Sequence, residues 1–364
     1  MTRERPFSSS RPIGIARGIA VALALCALPC VRADQIIAGD VNHAGGRVEG
    51  FEQGEVRYRL ADGSIASFPV AGVDLLFIDS LAGFSDFNEA EAILMRDDAE
   101  SAIDLYKRSR NRVDGFWREL LDARLLMACD RAGRFDDAVD TFIRVVQSAH
   151  SGAIVGAALV PRCVSLAGDA QGRAAVDRLD VAARAAKDDA QRVLLRVFGF
   201  DVLRRIDERR GRGMARSTAA LKIPEALRTA RVYEIVATAL TFVFDASVDA
   251  EALEMLDRAI ENCPDDVLPD FLLLKGRALL KAASTRDDVI RASWPLLRVA
   301  IHMPKDPRAA EALLVAATAM ERIGKPAKAL LLAEESLAHP AALEETKRSA
   351  AAEVARLRGE SGLP

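Results

Sequence analysis

Four histidines, five cysteines and 53 aspartates and glutamates are the groups from which this 364-residue chain could build a reactive site. His43, His150, His302 and His339 lie far apart. None forms an HExxH or HxxxH pair, the spacing that sets two imidazoles on one helical face for a metal ion. Neither a GxSxG elbow nor a GxxxxGK[ST] phosphate loop occurs. Cys129, Cys163 and Cys263 stand singly in or beside apolar helical runs, which reads as small buried hydrophobes rather than a disulfide framework. Asp40, His43 and Gly45-Gly46 cluster, but with no further ligands and no helix behind them they read as a turn with a solvated histidine. Asp136-Asp137 and Asp265-Asp266 lie beside turns or helix starts, where the positive end of a helix favours carboxylates. Asp104, Glu119 and Asp122 are the scattered carboxylates on which an assembled site could draw. No catalytic, cofactor-binding or metal-ligating residue is expected, and no cofactor.

One charge run stands out. Arg204, Arg205, Arg209, Arg210, Arg212 and Arg216 face a single Asp-Glu pair, a candidate basic patch for an acidic partner protein, an anionic lipid or a glycan. The simpler reading is a solvated helix end running into a loop at Gly211-Arg212-Gly213. Trp117 lies within an apolar helical face and reads as core; Trp294 is the other tryptophan that could anchor a ligand.

The elements that would position such groups follow from composition and period. Half the residues are hydrophobic, yet only 5% are aromatic. That suits closely packed helices better than a β-sandwich. Residues 1–33 read as a secretory signal: Arg3, Arg5, Arg11 and Arg17 precede the apolar run Ile19–Leu28, Pro29 breaks it, and Val31-Arg32-Ala33 fits a cleavage site before Asp34. The run is too short to span a bilayer stably, although a retained anchor is the alternative. Cleavage would remove five arginines and one glutamate, leaving 45 basic and 52 acidic residues and a net charge of −7. Nucleic acid is therefore not an expected partner.

From Asp34 to Ile78 the period is two. Gln35–Ala38, Arg47–Phe51, Glu55–Leu60, Ile65–Val70 and Val73–Ile78 are candidate strands. Val56, Tyr58 and Leu60 share one face of the third, and Asp62-Gly63 marks a hairpin turn needing positive φ. About 45 such residues suit a small antiparallel meander that closes or curls to protect its edges. Ser80–Asp86 is the linker, and helical character then runs almost to the end.

The organising stretch is Ala123–Phe142. An apolar helical face stops before Gly133, and a second helix begins behind it at Phe135. Ala138, Phe142 and Val145 share its inner face, spaced four and three. Ala102 and Tyr106 stand 36 residues before Ala138 and Phe142, with Arg96-Asp97-Asp98 where a glycine would be. Ala174 stands 36 residues after Ala138, with Arg178 in the aromatic's place. Residues 189–248 are read as helix pairs of irregular length, with Pro224 opening a helix. The pattern recovers with Ala252, Leu256, Ala259 and Pro264. Gly276 follows, then Leu296, Val299 and Pro304, with a longer connecting loop expected at Ala283–Asp288. Gly324 and Ala329 repeat the Gly133/Ala138 interval, and a polar-sided helix over 341–358 caps the array.

These positions resemble a tetratricopeptide repeat: glycine before the turn (Gly133), an aromatic two residues on (Phe135), alanine three after that (Ala138), an aromatic one helical turn later (Phe142), and a terminating proline. The resemblance implies a mainly α chain with a right-handed αα-solenoid; the small antiparallel β domain read before it is SH3-like in size. The expected divisions are signal 1–33, β module 34–80, linker 81–86, repeats 87–358 and a disordered tail 359–364. The resemblance also implies protein–protein binding; together with the signal segment, the expectation is an exported, non-catalytic scaffold or adaptor, in the periplasm or cell envelope, holding a partner segment on the concave face lined by first helices. The alternative is a cell-envelope enzyme or accessory subunit with a carboxylate-based site between helices.

Overall fold

The computed structural model of the chain describes residues 33–148 and 152–361. The expected signal segment up to residue 32, and His150, lie outside them. Two compact units make up the chain, the first ending at Arg134 and the second beginning at Phe135.

In the first unit five strands form one antiparallel sheet: β1 (Asp34–Ala38), β2 (Val41–Glu52), β3 (Glu55–Arg59), β4 (Ile65–Pro69) and β5 (Val73–Phe77), in the order β4-β3-β2-β1-β5. All five expected strands are present, and β2 is longer than its apolar run suggested. Val56 and Tyr58 are fully buried, and Gly63 takes the positive φ (87°) that the β3–β4 turn requires. The Tyr58 hydroxyl lies 2.6 Å from the carbonyl of Asp34 and accepts from the Gly46 amide at 3.0 Å; burial pushes its pKa up to about 12. A Cβ at Gly46 would stand 2.2 Å from the Arg59 carbonyl and 2.5 Å from the Tyr58 ring, so only glycine lets the tyrosine in. The expected turn with a solvated His43 is corrected: His43 lies within β2, half-buried, its ring 5.0 Å from that of Phe68. Of the two glycines beside it, Gly46 serves the tyrosine's approach, while Gly45 takes a positive φ of 82°.

β5 ends the sheet, so one row of its backbone groups would be left without a strand partner. Side chains from two helices take that place. Asn88, on helix Ser85–Leu94, accepts from the Ile78 amide (2.8 Å) and donates to its carbonyl (2.7 Å). Glu91 accepts from the Leu76 amide (2.9 Å), and Arg124, on helix Phe116–Arg131, donates to the Val73 carbonyl (2.6 Å). The edge is thus covered by helix rather than by strand closure, and the sheet and the first three helices fold as one unit.

Helices Ser85–Leu94 and Ala99–Arg110 form the first hairpin, with Ala102 and Tyr106 buried on its inner face. Its turn has the same backbone path as the two glycine turns. Asp97 takes φ 65°, Gly133 φ 71° and Gly324 φ 74°. In each, that residue's amide bonds three residues back and the next amide five back: Asp97 to Leu94 and Asp98 to Ile93, Gly133 to Asp130 and Arg134 to Cys129, Gly324 to Glu321 and Lys325 to Met320. This is a Schellman closure of the first helix. Asp97 adopts it because a short polar side chain tolerates positive φ better than most.

The second unit opens with helix Phe135–Val146, on which Phe135, Ala138 and Phe142 are buried, the Phe142 ring 4.7 Å from that of Phe198. Helices Asp169–Arg184 and Asp189–Ile206 pair next. Ala174 is exposed; the buried face runs through Gly172, Ala175, Val176 and Leu179, one residue out of the expected register. Arg178 ends at the surface, paired with Asp136 (2.8 Å) and Asp140 (3.1 Å). The expected break at Gly211–Gly213 is also corrected. Helix Glu208–Ala219 runs through both glycines, and the chain turns at Asp207, whose carboxylate accepts from the Arg210 amide. Gly211 is a contact, not a hinge: a Cβ there would stand 2.7 Å from the Arg204 Cα. Pro224 precedes only a short 3-10 turn, Glu225–Leu227.

Helices Ala230–Ala246 and Ala250–Asn262 then begin a regular array, continued by Leu268–Ala282 with Arg286–His302, Pro307–Arg322 with Pro326–Ala338, and a last helix Glu344–Ser361. Ala252, Leu256, Ala259 and Ala329 are buried, and Pro264 stands just past the end of its helix. Gly276 faces Leu296 so closely that a Cβ would meet its side chain at 2.4 Å. The loop expected to be long at 283–288 is only three residues; Thr285 and Asp288 close it as a capping box. The 40-residue interval there reflects a longer second helix, 17 residues in Arg286–His302 against 13 in Pro326–Ala338. The final helix runs to Ser361, three residues into the expected tail.

Candidate functional site

In this array the first helix of each pair packs on the first helix of the next: 230–246 on 268–282, 268–282 on 307–322, and 307–322 on 344–361. Their shared face is not filled by its own side chains. A groove of about 700 Å3 runs across it, with Ala237, Thr238 and Thr241 on the first helix, Leu273, Leu274 and Ala278 on the second, and Leu343 beyond the third.

Charge pairs set the spacing of the groove walls. Arg308 donates to Asp270 at 2.6 Å, and Arg277 pairs with Glu311; both join helix 268–282 to helix 307–322. Lys281 donates to the carbonyls of Phe244 (2.8 Å) and Asp245 (3.0 Å), the exposed C-terminal acceptors of the preceding first helix. One repeat on, Arg322 donates to the carbonyls of Leu280 and Ala283 (2.9 Å). A cation at a helix C-terminus is favoured by the dipole and satisfies carbonyls that have no intrahelical donor. The device recurs at an interval of 41 residues and leaves the groove with its cations committed, small apolar side chains on its floor, and hydroxyls from Thr238 and Thr241 on one wall. Such a surface can hold an apolar or extended segment; it offers no nucleophile beside a base.

The sequence-derived candidates are dispersed. Of the six arginines, Arg204 pairs with the fully buried Asp201 at 2.5 Å and Arg205 with the same carboxylate at 3.6 Å. Arg212 pairs with Glu208 (2.6 Å) and lies 5.1 Å over the Phe242 ring, while Arg216 bridges Asp249 (2.5 Å) and Glu251 (2.6 Å). Arg209 and Arg210 are exposed. Four of the six are therefore spent on their own chain, and the run does not form one open basic face. Among the other carboxylates, Asp104 is exposed and Asp122 is held by Arg110 at 2.5 Å. Trp117 is half-buried against Phe84 (4.8 Å) and Phe116 (4.5 Å). Trp294 is 65% exposed on the outer side of helix 286–302. Cys129 and Cys163 are buried, Cys263 is half-buried, and burial pushes the Cys263 thiol up to about 11.

Arg216 supplies a pH prediction. Its hydrogen bond, followed by the Ala252 amide at the helix N-terminus, holds the Asp249 carboxyl down to about 2. An ordinary aspartate titrates near ~3.9. The stabilisation is thus fully present above about pH 4 and is lost as pH falls through about 2. An NMR titration should place the Asp249 midpoint near 2. Arg216→Gln should move it back toward the ordinary value, and an unmoved midpoint would mean the arginine is not its partner in solution.

Neither family models nor curated proteins match the sequence. Among solved structures, the chain is similar to yeast Tom70. The match has 17% identity and a TM-score of 0.38, and covers 78% of this chain. It covers 66% of the Tom70 chain, just under two thirds of its length.

The groove residues were not legible beforehand. Alanine and threonine on a first helix look the same whether they face a partner or a neighbouring helix. The only signal was the alternation of first and second helices, which fixed the face but not its occupants.

Proposed function

We propose that the protein is a non-catalytic interaction scaffold, exported to the periplasm or cell envelope, that holds a segment of a partner protein in the groove across its first helices. The observation that carries this reading is the groove itself. Three successive first helices leave an open channel with apolar side chains in its lining, while Arg277 and Arg308 are paired with Glu311 and Asp270 across it. Walls held by ion pairs and helix-end bonds before binding lose little entropy when a segment enters. Export is supported by the pattern of residues 1–33. No helix among the described residues is long and apolar enough to cross a membrane.

Thr241 is exposed on the groove wall, and Trp294 is exposed on an outer face. A photo-crosslinking residue at Thr241 should trap one dominant protein in the native envelope fraction, and one at Trp294 should not. Capture from Trp294 alone would move the binding surface to the outer face and end this reading.

A further inference from the structure

A second cavity lies in the same unit, on a different face of helix 230–246. It has a volume of about 120 Å3 and sits between that helix, helix 250–262 and the loop over 220–229. Its wall is apolar, made by buried residues such as Ile223, Val236 and Met255. Three cations line it, Lys222 and Arg228 from the loop and Arg258 from helix 250–262, and no carboxylate does. The large groove differs in this respect, because its cations are all paired. Among the described residues Lys222, Arg228 and Arg258 make no ion pair.

Tyr233 adds a neutral donor to the same lining. Tyr233 is 2% exposed, with its ring edge-on to Phe271 at 5.9 Å, and it lines this cavity. Its hydroxyl has no hydrogen-bond partner among the described residues. The hydroxyl oxygen itself is not among the buried unpaired polar atoms, so it opens to solvent in the cavity as a donor free to meet a ligand. Burial raises its pKa and the charge of Arg228 opposes that rise; both residues line the cavity. The loop is not left to chance either: Leu227 is fully buried, and Thr229 donates to the Ala157 carbonyl at 3.0 Å.

We infer that this cavity binds a small organic carboxylate, its apolar tail against Ile223, Val236 and Met255 and its charged head between Arg228, Arg258 and the Tyr233 hydroxyl. Arginine matches a carboxylate with two parallel hydrogen bonds, and the phenol supplies a further donor. The volume limits the tail, since the cavity holds about four waters at ~30 Å3 each. A four-carbon acid fits with its head at the cationic rim. The same chemistry could come from a free acid or from the carboxyl end of a peptide with a small apolar last residue.

The test is calorimetric titration of the purified protein with butyrate, with butan-1-ol and inorganic phosphate as the tail without the charge and the charge without the tail. Saturable butyrate binding that weakens with ionic strength, with neither control matching it, is the expected result. Arg228→Gln with Arg258→Gln should weaken butyrate by about tenfold or more, and Tyr233→Phe by less, with thermal melting unchanged because both arginines are exposed. Equal binding of butan-1-ol would make the cavity merely apolar, and equal binding of phosphate merely cationic. Either overturns the inference, as does no butyrate binding. An acetylated Gly-Val peptide and its C-terminal amide separate the two sources. Tighter binding of the acid peptide than of butyrate assigns a chain end, and weaker binding assigns a free acid.

Discussion

Phe142→Asp should unfold much of the unit that begins at Phe135. The ring is fully buried, 4.7 Å from Phe198, and its edge reaches toward Gly156, where a Cβ would stand 3.6 Å away. Truncation of a buried phenylalanine alone costs about 3–5 kcal/mol, and the aspartate adds the penalty of an unpaired charge in an apolar site. Domains hold only about 5–15 kcal/mol in all. Far-UV circular dichroism should therefore show a large fall in the melting temperature, with the helices around 135–206 lost together because each is stable only against its neighbours. Phe142→Leu, which keeps the site apolar, should cost about 1–2 kcal/mol. If Phe142→Asp melted like the parent, the inner face of helix 135–146 would be assigned to the wrong side.

That face was legible because helical period is local. Ala138 and Phe142 are four residues apart, and any helix places them together. The Schellman turns at Gly133 and Gly324 were legible for the same reason, since glycine advertises positive φ. Asp97 makes the same turn 36 residues before Gly133, and only the interval betrayed it. Glycine also misled. Gly211 looked like a break because glycine weakens helices, but its role is set by Arg204 on the neighbouring helix. The Ala174 error was one residue of register: in an alanine-rich segment the period does not say which alanine faces inward, and Gly172 and Leu179 decided it. What stayed invisible was pairing across sequence distance. Lys281 on the Phe244 carbonyl is 37 residues away, and the cations around Tyr233 come from two different elements.

The same limit hid the strongest polar feature of the first unit, and it yields the second large expected effect. Arg124 is 1% exposed and Glu91 is fully buried. The Glu91 carboxylate accepts from Arg124 Nε (2.7 Å) and Nη2 (2.6 Å), from the Tyr106 hydroxyl (2.6 Å) and from the Leu76 amide. Burial alone would lower the guanidinium's pKa, but Glu91 and then Tyr106 carry it above its ordinary value; burial, reinforced by Glu91, pushes the Tyr106 phenol well above its own. The pair joins β5 to three helices. Removing one partner of such a pair costs about 3–5 kcal/mol, because the other charge stays buried without compensation. Arg124→Met should therefore be severe, and Glu91→Gln nearly so, although glutamine still offers an acceptor to Leu76. Combining them removes both charges, so the double variant should be destabilised by less than the sum of the singles, a coupling of about 1–3 kcal/mol. Urea unfolding measures the cycle. Hydrogen exchange localises it: the Leu76 amide, bonded to Glu91, should lose protection before the Val48 amide, which is bonded to Asp34 at 2.8 Å elsewhere in the sheet. Additive singles, or equal loss of protection at both amides, would mean that β5 is held by its apolar face rather than by this pair.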